Sequence, residues 1–250
     1  MEKFKNINME NFKNINIENV KKNIIERIVK TLPAIKKSIY INTKSWFLLL
    51  SSIFIISYND LLNGLLTFFF MLFASHLFHY SCHLALYTNS VHIYHHKHHN
   101  YLSHISQMIL EFCSILFFFF SKHVYSWLFL NEWVIIFYYL FYTTVHNINY
   151  SIFHVNNVHE NHHKLLTLNL GPDICDILFQ TKFDLEESLE NTDHYTWNIF
   201  FSLIFIFVSK IIWSNATSFE KNSITNVFVF IYTLMATILA VLTVYFNFVD

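Results

Sequence analysis

Long apolar blocks, separated by short polar ones, set the pattern of this chain. Trp46–Tyr58 is apolar until Asn59 and Asp60 interrupt it, and Leu61–Leu77 follows at once. Met108–Phe120 and Val124–Val145 form a second pair, with Lys122 and His123 between them. Trp197–Trp213 and Val227–Phe248 form a third. A helix that crosses a bilayer needs about 20 mostly apolar residues. The pattern therefore predicts an all-α, multi-pass membrane bundle of three helical hairpins, with about four to six transmembrane helices. The first and third apolar segments are short, and suit either a crossing or a re-entrant helix.

Each hairpin returns the chain to the side it left. His79 to His99, His146 and His159 to His163 then share one face, as a histidine-rich helical cap. The basic N-terminus falls on that face too, since ten of the 16 Lys and Arg residues lie at or before Lys44. The positive-inside rule places that face in the cytosol. Asn215-Ala216-Thr217, a glycosylation sequon, then falls at the opposite, lumenal tip.

Two parts are predicted. Residues 1–44 form a basic, Asn-rich cytosolic segment, and residues 45–250 form the membrane domain. The segment opens on a near-identical repeat, FKNINMEN then FKNINIEN (Phe4–Asn11 and Phe12–Asn19), of a kind that is usually poorly ordered. Val20, Ile24, Ile25, Ile28, Val29 and Leu32 then share one helical face. That stripe fits a helix lying on a membrane surface or a helix docked on the rest of the chain.

Composition narrows the function. The chain carries 29 Phe, 54% hydrophobic residues and a net charge of -1, which offers nothing to a nucleic acid. Two glycines cannot make a dinucleotide or phosphate loop. Cys82, Cys113 and Cys175 are scattered and odd in number, so no disulfide framework is expected.

The chemistry lies in the histidines. His79 and His83 are spaced HxxxH, one helical turn apart on one face. His92, His95 and His96 form HxxHH, and His159, His162 and His163 form a second one. In each HxxHH the first two imidazoles share a face and the third points about 100° away, toward a second metal or a bridging position. Eight imidazoles exceed one ion's ligand shell and suit two ions. Neutral imidazole binds iron, zinc or copper. A loose histidine tract in a metal-binding or metal-transporting membrane protein is the alternative.

These motifs resemble the fatty acid hydroxylase and sterol desaturase superfamily of membrane non-haem di-iron oxidases, over roughly Leu65 to Phe183. HYSCH (His79–His83) is similar to its HRxxH box. HIYHH (His92–His96) is similar to its HxxHH box at the short spacing, and HENHH (His159–His163) to its last box. His146, in HNINY, resembles an isolated family histidine. NLGPDICDILFQT (Asn169–Thr181) resembles the NYG...WDxLFGT ending. Leu72, Tyr80, Leu170 and Cys175 stand where the family has Asp, Arg, Tyr and Trp, and leave open the substrate class and a catalytically inactive member. Helices over 197–248 are additions found in some members.

The resemblance implies that His79, His83, His92, His95, His96, His146, His159, His162 and His163 hold two iron ions, with no catalytic residue beyond these ligands. His76, His98, His99, His104 and His154 are second choices, and His95-x-x-His98-His99 is an alternative register. Asp176 and Asp173, and less so Glu160, are candidates to orient imidazoles from outside. It also implies O2-dependent hydroxylation or desaturation of a lipid: a sterol, sphingoid base, fatty acyl chain or alkylglycerol. Electrons would come from cytochrome b5 and its NAD(P)H reductase, at the endoplasmic reticulum membrane.

Overall fold

The computed structural model describes residues 17–84, 87–98, 100–125, 129–182 and 189–249. The repeat up to residue 16 and His99 lie outside the described residues, as do the side chains of His123 and His159. Every regular element among the described residues is helical.

Six helices run between two ends of a bundle: α2 (Thr43–Ile56), α3 (Leu61–Cys82), α5 (Tyr101–Val124), α6 (Glu132–Thr144), α9 (Thr196–Asn215) and α10 (Ser218–Val249). The contacts fix their direction. At one end Asn42 and Ser45, where α2 begins, bond the backbone of Glu190 and Thr192, just before α9. At the other end Lys210 Nζ donates to Ile56 O at 2.5 Å, and Thr67 Oγ1 accepts from the Asn131 amide. The core between them is Ile53, Phe68, Val134, Phe137, Tyr138 and Ile206, each 1% exposed or less.

Among the described residues four helices are long and apolar enough to cross a membrane: Leu61–Cys82, Tyr101–Lys122, Asp193–Asn215 and Ser218–Phe248. A fifth results if the two helices on either side of Asn42, bent by 77°, count as one span. The shortfall from six has local causes. α2 stops at Ile56 before the Asn59-Asp60 turn. α6 starts only at Glu132, because the Asn131 side chain caps the Trp133 and Val134 amides. The stretch before it, expected to be helical from Val124, is not helical at the described residues Tyr125, Phe129 and Leu130. α6 recovers length at its other end, where a π-helical segment, Val145–Tyr150, continues it.

The third hairpin also differs from expectation. α9 packs on α2 and α6 through one stripe, Asn198, Ile199, Ser202 and Ile206. α10 instead packs on α5 and α4 (Ser90–Lys97), on another side of the bundle. Its far end returns to the histidines: Phe246 stacks on Tyr94 at 3.9 Å, and Ser90 bonds Thr243 O. Apolar side chains along α10 face outward, Phe230 and Val241 being 68% and 62% exposed.

Residues 20–32 belong to α1 (Ile17–Ile41), whose C-terminal part packs on α8 (Asp173–Phe179). The described members of its apolar stripe, Ile25, Val29 and Leu32, are exposed. The side chains of Val20, Ile24 and Ile28 lie outside the described residues.

The α2–α3 turn depends on Gly64. A Cβ there would lie 1.9 Å from Ser57 Oγ and 2.4 Å from Ser57 Cβ. The hydroxyl can rotate away, but its carbon cannot. Gly64→Ala is expected to destabilise the protein by about 1–3 kcal/mol, as overpacking does, measured by thermal unfolding in nanodiscs.

Candidate metal centre

Four segments deliver imidazoles to one end of the bundle. α3 ends in His79 and, just past its last residue, His83. α4 carries His92, His95 and His96, the π-helical segment carries His146, and α7 (Val158–Lys164) carries His162 and His163. Five of these histidines, His79, His83, His92, His96 and His162, each place a ring nitrogen within 4.8 Å of all the others. Two nitrogens on one ion lie at most about 4 Å apart, twice a metal–nitrogen bond of about 2 Å, so the group closes on an ion with shifts of under about 1 Å. The group could hold a metal ion.

A second group adjoins it. His95 lies 5.2 Å from His163, 5.4 Å from His104 and 6.3 Å from His146, measured between ring centroids. His96 joins the groups, at 4.8 Å from His162 and 4.3 Å from His163.

One geometric expectation needs correction. On α4 the imidazoles that share a direction are His92 and His96, 4.6 Å apart, and not His92 and His95, 6.5 Å apart. At 100° per residue, a spacing of four misses alignment by 40° and a spacing of three by 60°.

The second choices divide. His104 sits against His95. His98 lies against Tyr94 instead, His154 is exposed, and His99 is outside the described residues. His76 donates its Nδ1–H to Gly171 O and stacks on Phe179, so it supports a loop behind the centre.

The outer hydrogen bonds decide which nitrogen faces inward. His79 Nδ1 donates to Leu170 O at 2.6 Å, and His162 Nδ1 to Leu168 O at 2.8 Å. His92 Nδ1 donates to Gln107 Oε1 at 3.0 Å, and His146 Nδ1 to Glu111. In a neutral imidazole the other nitrogen then carries only a lone pair. His92 Nε2 lies 3.1 Å from both His83 Nε2 and His96 Nε2. The buried His79 Nε2, His95 Nδ1 and Nε2, and His96 Nδ1 have no hydrogen-bond partner. A bound cation would satisfy these converging, buried ring nitrogens. The donor set, all nitrogen with a carboxylate outside it, fits a borderline transition metal.

Among the described residues Asp173 and Asp176 hydrogen-bond no imidazole, contrary to expectation; Asp176 Oδ1 comes no nearer than 3.8 Å to His76 Nδ1. Asp176 accepts from the Leu170 and Gly171 amides and the Thr181 hydroxyl. It shapes the loop whose carbonyls hold His76 and His79. Burial pushes its carboxyl up to about 7 against those donors. Asp173 pairs with Lys182 and accepts from Ser38. Glu160 pairs with Lys164 on the exposed face of α7.

The carboxylate that touches the centre is Glu111, with Gln107 one turn before it on α5. Glu111 accepts from His146, from Asn147 at 2.9 Å and from Gln107 at 3.1 Å, and Gln107 in turn accepts from His92. Glu111 is not among the residues singled out from the sequence, although it stands alone as an acid in the apolar stretch Met108–Phe120. An acid within an apolar helix was itself the signal.

Burial, the largest cause in each case, holds His92 and His162 down at about 4, His83 at about 3 and His95 at about 2. His146 differs. Burial lowers it, but the charge of Glu111 and its hydrogen bond outweigh that and raise it. Above the unfolded value of 6.5 the four depressed imidazoles are neutral whether the chain is folded or not. Between 6.5 and about 4 only the unfolded chain takes up protons, so stability is lost as pH falls. The metal-free protein is expected to unfold steeply in that window, followed by Trp fluorescence. A transition confined to lower pH would contradict this.

A cavity of about 120 Å³ reaches the centre, lined there by His79 and His146 and walled by Leu49, Phe68, Leu72 and Phe141. No known family, curated protein or solved structure matches the chain.

Proposed function

We propose that this chain is a membrane-embedded, non-haem di-iron oxidase that hydroxylates or desaturates a lipid, of the fatty acid hydroxylase and sterol desaturase type. One observation carries the reading. Two adjoining imidazole groups, joined by His96, present buried lone pairs beside a cavity with apolar walls.

A pair of irons, when bound, supplies what side chains lack: the use of O2 to remove hydrogen from an unactivated carbon. The chain does the rest. His79, His83, His92, His96 and His162 hold one position, and His95, His146 and His163 the other, with His104 beside it. Leu170 O, Leu168 O, Gln107 and Glu111 fix the tautomers. The walls of Leu49, Phe68, Leu72 and Phe141 exclude water and direct one C–H bond toward the centre. External electrons come from cytochrome b5 and its NAD(P)H reductase.

The outward apolar faces of α9 and α10 meet lipid, as non-polar surface on a spanning helix does. Lys36, Lys37, Lys44, Lys97, Lys164 and Lys182 lie toward the histidine end, and Lys122, Lys210 and Lys221 toward the other. That bias supports a cytosolic histidine end, and the likeness to the hydroxylase and desaturase motifs supports the endoplasmic reticulum. A reporter after Asp250 is then expected to be cytosolic and one inserted at Ser218 lumenal. The same side for both would mean that α10 does not cross.

Comparative lipidomics of cells with and without the protein tests the activity. A lipid pair is expected to shift, precursor accumulating and product vanishing, the two differing by one oxygen or by two hydrogens. An unchanged lipid profile, with the protein shown to be expressed and metal-loaded, would refute it.

A further inference from the structure

The cavity beside His79 and His146 is also lined by a polar group that the proposed reaction does not use. Glu190 is 5% exposed. Its Oε1 accepts from Tyr150 Oη and from Asn156 Nδ2, the latter at 2.9 Å. Tyr195 Oη lies 2.7 Å from Tyr150 Oη and 3.3 Å from Glu190 Oε2. Asn42 holds the segment in place, donating to Glu190 O and accepting from the Thr192 amide and hydroxyl. Glu190, Tyr150, Tyr195, His79 and His146 line one cavity.

Hydrogen-bond supply points to the occupant. The phenol protons are spent within the Glu190 group, while Glu190 Oε2 keeps acceptor capacity beyond its long contact with Tyr195. Asp173 and Asp176 line the same cavity, and Lys182, the ammonium ion-paired there among the described residues, is bonded to Asp173. The site is rich in hydrogen-bond acceptors. A carboxylate or phosphate head would set further acceptors against them, and a thioester would bring no donor. Reach is limited as well. Tyr150 follows His146 by four residues on one π-helical segment, less than about 6 Å along its axis, the α-helical rise being an upper bound. The unpartnered His79 Nε2 marks the reacting end of the same cavity.

We infer that Glu190, Tyr150 and Tyr195 form a head-group subsite for a lipid with a hydrogen-bond-donating head, a hydroxyl or an ammonium, whose oxidised carbon lies near that head and not deep in the tail. The inference rests on the lipid-oxidase reading for its reaction, but binding at the subsite needs no metal.

The test uses full-length protein in nanodiscs, with hexadecylamine, hexadecanol and hexadecanoate as probes of one chain length, and iron content measured on the same sample. The amine or the alcohol is expected to bind at least about ten-fold tighter than the carboxylate, as one charge-assisted hydrogen bond allows. Glu190→Gln is expected to abolish that preference, and Tyr195→Phe to reduce it several-fold. Tighter binding of the amine than of the alcohol identifies the head as ammonium, and equal binding as hydroxyl. A carboxylate that binds as tightly as both, or a preference that survives Glu190→Gln, overturns the inference. Should Glu190→Gln not fold, the wild-type preference and Tyr195→Phe decide it. Retained selectivity in protein that holds no iron would sink the oxidase reading and leave the subsite standing.

Discussion

His79→Ala is expected to give a folded protein that has lost metal. Its Nδ1–H is committed to Leu170 O, so its Nε2 can serve only as an acceptor or ligand. That nitrogen is buried and has no hydrogen-bond partner, in a group with four other imidazoles. The substitution deletes that ligand together with one hydrogen bond, to Leu170 O, which leaves most of the packing of the helix end in place. The loss of metal affinity should exceed the ~10–100-fold typical of an outer partner. His98→Ala and His154→Ala provide the contrast, since His98 lies against Tyr94 and His154 is exposed. Both are expected to keep wild-type metal content by elemental analysis. An equal fall in all three variants would return the histidines to a loose metal-binding tract.

Glu111→Gln is expected to cost ~10–100-fold in metal affinity or turnover although it touches no ion. The carboxylate accepts three hydrogen bonds, from His146, Gln107 and Asn147. A carboxamide has one acceptor oxygen, and its NH2 would face a donor. His146 would lose the partner that fixes its tautomer and holds its pKa up. The relay from His92 through Gln107 to Glu111 and His146 ties α4 to the π-helical segment, so both imidazole groups should loosen. Circular dichroism and metal content separate this from unfolding: helicity near wild type with reduced metal is the expected result. Full metal occupancy in Glu111→Gln would show the relay to be structural only.

Hydropathy located all six bundle helices, because a continuous apolar face leaves a strong trace, but it missed the more polar first turns of α5 and α10, which begin at Tyr101 and Ser218. It misplaced the start of α6, where one side chain, Asn131, sets the boundary. It paired α9 with α10 because they are neighbours in sequence. Nothing in either helix announced that α9 would bury Asn198 and Ser202 against α2 and α6 while α10 turned to α5. Spacing brought out the histidine motifs but not their partners. Leu168 O and Leu170 O are backbone atoms, and any residue type supplies them. Asp176 was singled out as an orienting group. It acts one step further back, through the amides of Leu170 and Gly171.

The central claim is that this end of the bundle holds two metal ions, and that they are iron. Elemental analysis and Mössbauer spectroscopy of protein produced in 57Fe medium and purified without oxygen test it most directly. Two irons per chain, in a coupled high-spin pair that His79→Ala removes, are expected. Fewer than one metal ion per chain after iron loading, or a single zinc indifferent to His79→Ala, would contradict it.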